Sequence, residues 1–133
     1  MGLTHINPPS MHRNPAFSQG VLLEGPGRLL VVGGQNGVDA NGEVVSDDFA
    51  AQTKQAMRNL LTVLEEVGAG PKDVAKLTIF CEAGQDVRAG FQASAEVWGQ
   101  APTAVTVIQV PSFARPGILV EIDALAFVPE RAG

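Results

Sequence analysis

The sequence predicts a two-layer α/β sandwich of the α+β kind, a mixed β-sheet with two helices packed on one face. Three observations carry this prediction. Short branched-apolar runs at residues 28–34, 74–81, 103–110 and 118–128 have strand character, and segments 47–67 and 86–98 between them switch to helical spacing. Glycine or proline marks most of the boundaries. The two alternating sets in 118–128, Ile118, Val120, Ile122, Ala124 and Ala126 against Leu119, Leu125 and Phe127, are both apolar, which predicts a strand buried on both sides.

The opening stretch, Asn7-Pro8-Pro9 through Asn14-Pro15-Ala16, is rich in proline and polar residues and predicts irregular or edge structure. Leu29 to Val32 then form an apolar run between Pro26-Gly27 and the Gly33-Gly34 pair, a buried strand ending where the backbone must bend. Asn41-Gly42 is a strong turn signal, so a hairpin-like connection to a further strand is expected there. In the first helix Phe49, Ala56, Leu60, Leu64 and Val67 fall on one stripe, widened by Met57 and Leu61. Ser46 or Asp48 caps its start and Gly68 takes the left-handed position at its end. After Gly70-Pro71, Leu77, Ile79 and Cys81 alternate with Lys76, Thr78 and Phe80, a strand pattern.

The second helix places Val87, Phe91, Ser94 or Ala95, and Trp98 on one face and closes at Gly99. Its Gly90 costs about 1 kcal/mol relative to alanine. Two β-rich runs follow, separated by a turn holding Pro111 and Arg115-Pro116-Gly117. No repeat, low-complexity tract or linker divides the 133 residues, so residues 1–133 are expected to form a single domain. Two helices cover only one sheet face, and another copy of the chain is the simplest cover for the other.

Composition narrows the function classes. A formal net charge of -5 and a pI near 4.9 disfavour nucleic-acid binding, which rests on lysines and arginines releasing counterions. No segment has the length and apolarity of a membrane span or the pattern of a secretion signal. Cys81 is the single cysteine, so no intrachain disulfide forms and a cytoplasmic location is expected. It reads as a core residue. His5, His12 and Cys81 are too widely spaced for a metal signature, and residues 33–37 do not match a phosphate loop.

Four ordered segments span nearly the whole chain: residues 14–20 from Asn14 to Gly20, the strand end Val32-Gly33-Gly34-Gln35, the helix opening Ala51-Gln52-Thr53, and residues 119–124 around Glu121. Together they resemble the reactive-intermediate deaminase family (Rid, YjgF/UK114, also called endoribonuclease L-PSP). That resemblance implies a chorismate-mutase-like fold, a homotrimer with small-molecule clefts between subunits, and hydrolysis of imines or enamines without metal or organic cofactor. The family's best-known members hold the substrate carboxylate with an arginine on the strand after the second helix, a bidentate grip that lysine does not copy. Here that position falls on Ala104. The family's tyrosine, asparagine and frequent cysteine are matched by Phe17, Phe91 and Thr106, so the implied cleft is more apolar.

Glu121 stands where the family places a glutamate that orients or activates water. In an apolar strand a carboxylate must be hydrogen-bonded, paired or protonated, and such a group is suited to proton transfer with water. Its alternative is a structural carboxylate tying down a loop, and Asp123 reads as a rim or interface charge. Substrate-binding candidates are Phe17, Gln19, Gly34, Phe91, Ala104, Thr106 and Arg115. Arg115 either replaces the lost cation from its turn or is solvated, Gln19 either meets a ligand or ties down the N-terminal segment, and Gly34 either permits a bulge or turns an amide to the ligand. Three functions follow: a Rid-type hydrolase acting on a substrate other than the usual imino acids, a non-catalytic metabolite-binding trimer, and, against the charge balance, a ribonuclease.

Overall fold

The structure, a computed structural model, describes residues 2–130. Elements run β1 (Gly2–Ile6), β2 (Gly20–Glu24), β3 (Gly27–Gln35), α1 (Phe49–Glu66), β4 (Val74–Glu82), α2 (Val87–Trp98), β5 (Ala104–Val110) and β6 (Val120–Pro129). Strands β3, β6, β4 and β5 form one sheet in that order; β4 and β5 are parallel and the other pairs antiparallel. The parallel pair follows from its connection, since only a crossover such as α2 returns the chain to the same end of the sheet. This is the expected mixed sheet under two helices, a chorismate-mutase-like α+β fold.

Helix α1 forms as its pattern predicts. Asp48 caps it by accepting from the Ala51 N–H at 3.0 Å, and Ser46 Oγ accepts from Asp48 N at 2.9 Å. Gly68 has φ of 73° just past its end. Its buried face, Ala56, Met57, Leu60 and Leu64, packs with Val120, Ile122, Ala124, Ala126 and Val128 of β6 into the core. Gly90, expected only to weaken α2, has a positive role: a Cβ there would lie 2.5 Å from Phe49 Cε2, so the missing side chain lets α2 close onto α1.

Two expectations are corrected. The hairpin at Asn41-Gly42 has no second strand, because only the single bridge Val38↔Val44 forms; Asp39 Oδ1 instead accepts from the N–H groups of Asn41 and Glu43, holding a turn. Strands β1 and β2 were not foreseen; they pair antiparallel in a separate ribbon flanking the irregular stretch that was. The outer face of β6 is open within the single chain, as expected of a sheet with only two helices to cover it: Leu125 is exposed, as are its neighbours Leu29 and Val31 on β3, and no helix among the described residues crosses that face.

Candidate functional site

Residues paired across a ladder share a sheet face, and successive residues alternate. The pairs Ile79↔Ile122 and Leu77↔Ala124 lie under the helices, so Phe80↔Glu121 and Thr78↔Asp123 project from the opposite, outer face. Glu121 therefore leaves the sheet on the side the helices do not cover, and it is half-buried there. The β3–β6 register slips between Val32 and Gln35, and this bulge brings Gly34 beneath the Glu121 side chain. A Cβ on Gly34 would fall 2.5 Å from Glu121 Oε1 and 2.6 Å from Cδ, so the carboxylate lies across bare backbone that only glycine provides. No side-chain hydrogen bond or ion pair engages Glu121 among the described residues. Its oxygens are unspent.

The same outer face carries the row expected on β5. Ala104 pairs with Lys76 and Thr106 with Thr78, and Lys76 Nζ donates to Thr106 Oγ1. Ala104, Thr106, Asp123 and Glu121 thus share one face of three adjacent strands. The methyl of Ala104 offers no hydrogen bond to a carboxylate. Lys76 was not singled out in the sequence, where it figures only as one member of an alternating strand.

Phe17 and Phe91 meet elsewhere. Their rings touch edge to face, centroids 5.7 Å apart at 61°, at the mouth of a cavity on the helix side of the sheet. Within one chain the structure thus brings Glu121 together with Gly34, and Phe17 together with Phe91, on opposite sides of the sheet. Gln19 lies in the N-terminal loop, where its Nε2 donates to the His12 carbonyl at 3.1 Å. Arg115 donates from Nη1 to the Gly42 carbonyl at 2.6 Å, fastening its turn to the Asp39–Gly42 turn. Cys81 is buried among core residues, and burial pushes its thiol pKa up.

The sequence reading missed the structural weight of Gln52. This residue is fully buried in α1; its Nε2 donates to the Ser46 and Gly117 carbonyls, each at 2.8 Å, and its Oε1 accepts from Leu119 N at 2.9 Å. It fixes the chain two residues before Glu121. A glutamine one position from the apolar stripe of a helix carries no signal of that, although the Ala51-Gln52-Thr53 segment was among those quoted for the resemblance. The model for endoribonuclease L-PSP proteins matches residues 10–128. A RutC family protein of Pyrococcus abyssi is 30% identical over 112 residues, covering 84% of this chain and 85% of the relative. The 2-iminobutanoate/2-iminopropanoate deaminase of Salmonella typhimurium is 27% identical over 113 residues, covering 83% of this chain and 85% of that protein. Among solved structures, a conserved Rid family protein from Yersinia pestis superposes with a TM-score of 0.83 at 35% identity, covering 95% of this chain and 98% of that one. With the fold, the bulge under Glu121 and these likenesses in agreement, the chain belongs to the endoribonuclease L-PSP family, that of the Rid and YjgF proteins.

Proposed function

We propose that this protein is a Rid-type hydrolase that converts a small imine or enamine to its carbonyl compound and ammonia, with Glu121 as the base. The observation that carries the reading is the unspent carboxylate of Glu121 lying across Gly34 at the family's glutamate position. Glu121 takes a proton from water as the oxygen attacks the imine carbon and the C=N electron pair moves onto nitrogen, which is protonated. The carbinolamine then collapses: its hydroxyl proton passes through Glu121 to nitrogen, the C=O bond forms, the C–N bond breaks and ammonia leaves. Atoms and electrons balance with water alone, so the reaction calls for no cofactor.

A relative named as a 2-iminobutanoate/2-iminopropanoate deaminase supports this chemistry, and Ala104 separates the substrate from that relative's. A methyl cannot hold a carboxylate, so the substrate is a bulkier or uncharged imine. Residues 1–133 act as one domain in a cytoplasmic homotrimer whose outer sheet faces meet, enclosing the Glu121 row in clefts between subunits. Phe17 and Phe91 of a neighbouring copy then provide an apolar wall, since Phe91 is 48% exposed in the single chain. Thr106 and the Gly34 backbone complete the floor. The net charge of -5 disfavours RNA as the substrate.

The test compares hydrolysis of benzophenone imine, an uncharged N-unsubstituted imine that releases ammonia, with that of the 2-imino acid formed from leucine by an amino-acid oxidase. The wild type should accelerate loss of the uncharged imine more than that of the imino acid. Glu121→Gln should return the rate to that of buffer while the mass in solution stays that of the wild type. If the uncharged imine is bound but released unaltered, the protein is a binding module. If Glu121→Gln turns over at the wild-type rate, the carboxylate is not the base.

A further inference from the structure

The outer face of the sheet carries a polar pair to which the proposed chemistry of Glu121 gives no task. Lys76 of β4 stands directly across from Ala104 of β5, and its Nζ donates to Thr106 Oγ1, one row further along the same face. The methyl at 104 leaves the ammonium room to lean that way. Among the described residues the single ion pair is Lys54–Glu96, so neither Asp123 nor Glu121, which project from the same face, pairs with Lys76.

This bond fixes what Thr106 does. A hydroxyl has one proton and two acceptor sites, whereas an ammonium donates and never accepts. Thr106 Oγ1 therefore gives an acceptor site to Lys76 and keeps its own proton, which meets no acceptor among the described residues. Thr106 is exposed, so that proton is open to a ligand on the outer face. A hydroxyl polarised by a neighbouring cation is a stronger donor than a free one. An anion is not what the face favours, because Asp123 and Glu121 together outweigh the charge of Lys76. A neutral acceptor oxygen suits it. Thr106 and Glu121 lie two strands and one row apart, on the order of 12 Å between Cα atoms by strand geometry, a span that the two side chains, a water and a small imine fill.

We infer that Thr106, held as a donor by Lys76, binds a carbonyl oxygen next to the imine carbon, so that the substrate is the imine of a 2-keto ester or 2-keto amide. The inference rests on the hydrolytic reading and narrows its substrate class. Thr106 determines specificity; Lys76 is a positioning residue that acts through it.

Methyl phenylglyoxylate, the keto ester that such an imine releases, is the probe, and butyrophenone, of nearly the same size, lacks the ester acceptor. Calorimetric titration into the intact protein should show saturable binding of the keto ester and binding of butyrophenone weaker by about five- to tenfold, the scale of one hydrogen bond. Thr106→Val should abolish that preference. Lys76→Met should remove most of it and Lys76→Arg should restore it, whereas a merely structural lysine would affect both compounds alike. The double variant should lose no more than Thr106→Val alone, since Lys76 acts through the hydroxyl. Thr106→Val, at an exposed position, decides the matter should Lys76→Met not fold. The inference is overturned if the keto ester does not bind, if butyrophenone binds as tightly, or if Thr106→Val or a folded Lys76→Met keeps the wild-type preference. Holding the carbonyl product calls for no base, so continued turnover by Glu121→Gln would defeat the hydrolytic reading and leave the Thr106 subsite standing.

Discussion

The two faces of β6 are built from the same ten residues and meet opposite fates. On the helix side Val120, Ile122, Ala124, Ala126 and Val128 are closed off by α1 and the neighbouring strands; on the other, Leu125 stands open beside Leu29, 59% exposed, and Val31, 69% exposed. Apolar alternation alone does not distinguish them. What does is the supply of covering elements: one helix pair closes one face, and no further helix among the described residues is left for the other. The polar residues of β6, Glu121 and Asp123, lie on that open face, so the region with the least internal support also carries the candidate chemistry.

The largest expected effect breaks this comparison from its closed side. Ile122→Ala removes a fully buried side chain and should cost about 2–5 kcal/mol in urea-induced unfolding, since the rigid core relaxes only partly around the void. Val31→Lys on the open face should leave the secondary structure intact yet lower the mass in solution toward that of one chain, as measured by light scattering, because a lysine there would be buried unpaired between copies. If Val31→Lys assembles as the wild type does, the outer faces do not meet.

The difference between the faces also sets how much was legible in the sequence. Helix α1 could be read because Asp48, the apolar stripe and Gly68 agree on one element. The core side of β6 was legible for the same reason. Strands β1 and β2 were not: Gly2 to Ile6 and Gly20 to Glu24 pair mainly with each other, largely exposed, so burial imposes no alternation on them. Glu121 came from the resemblance, but its seat on Gly34 did not, because the bulge depends on the register between β3 and β6. The sheet standing between Glu121 and the Phe17–Phe91 pair is likewise a property of topology, which no local pattern encodes.

Gly34→Ala sharpens the comparison at the site itself. The added methyl would overlap the Glu121 carboxylate, whose side chain must swing off the bulge toward the open face. Because that face has room, unfolding should change by only about 1 kcal/mol, while turnover of the imine falls by about tenfold or more as the base leaves its position. A variant that loses stability on the scale of Ile122→Ala would show that Glu121 is a structural carboxylate locked to β3.

The smallest effect tests the outer surface of the helix layer, where Lys54 of α1 pairs with Glu96 of α2. The Lys54 hydrogen bond and charge, with a lesser contribution from Arg58, hold the Glu96 carboxyl below its usual range. A carboxyl whose pKa is lower folded than unfolded contributes stability above the unfolded value and loses it as pH falls through the folded one. Glu96→Gln should therefore cost slightly at neutral pH and nothing at strongly acidic pH, with the difference shrinking further in high salt because the pair is solvated. Thermal melts of both proteins across acidic pH read this directly. A cost that persists at acidic pH would mean that Glu96 holds the two helices together by packing rather than by charge.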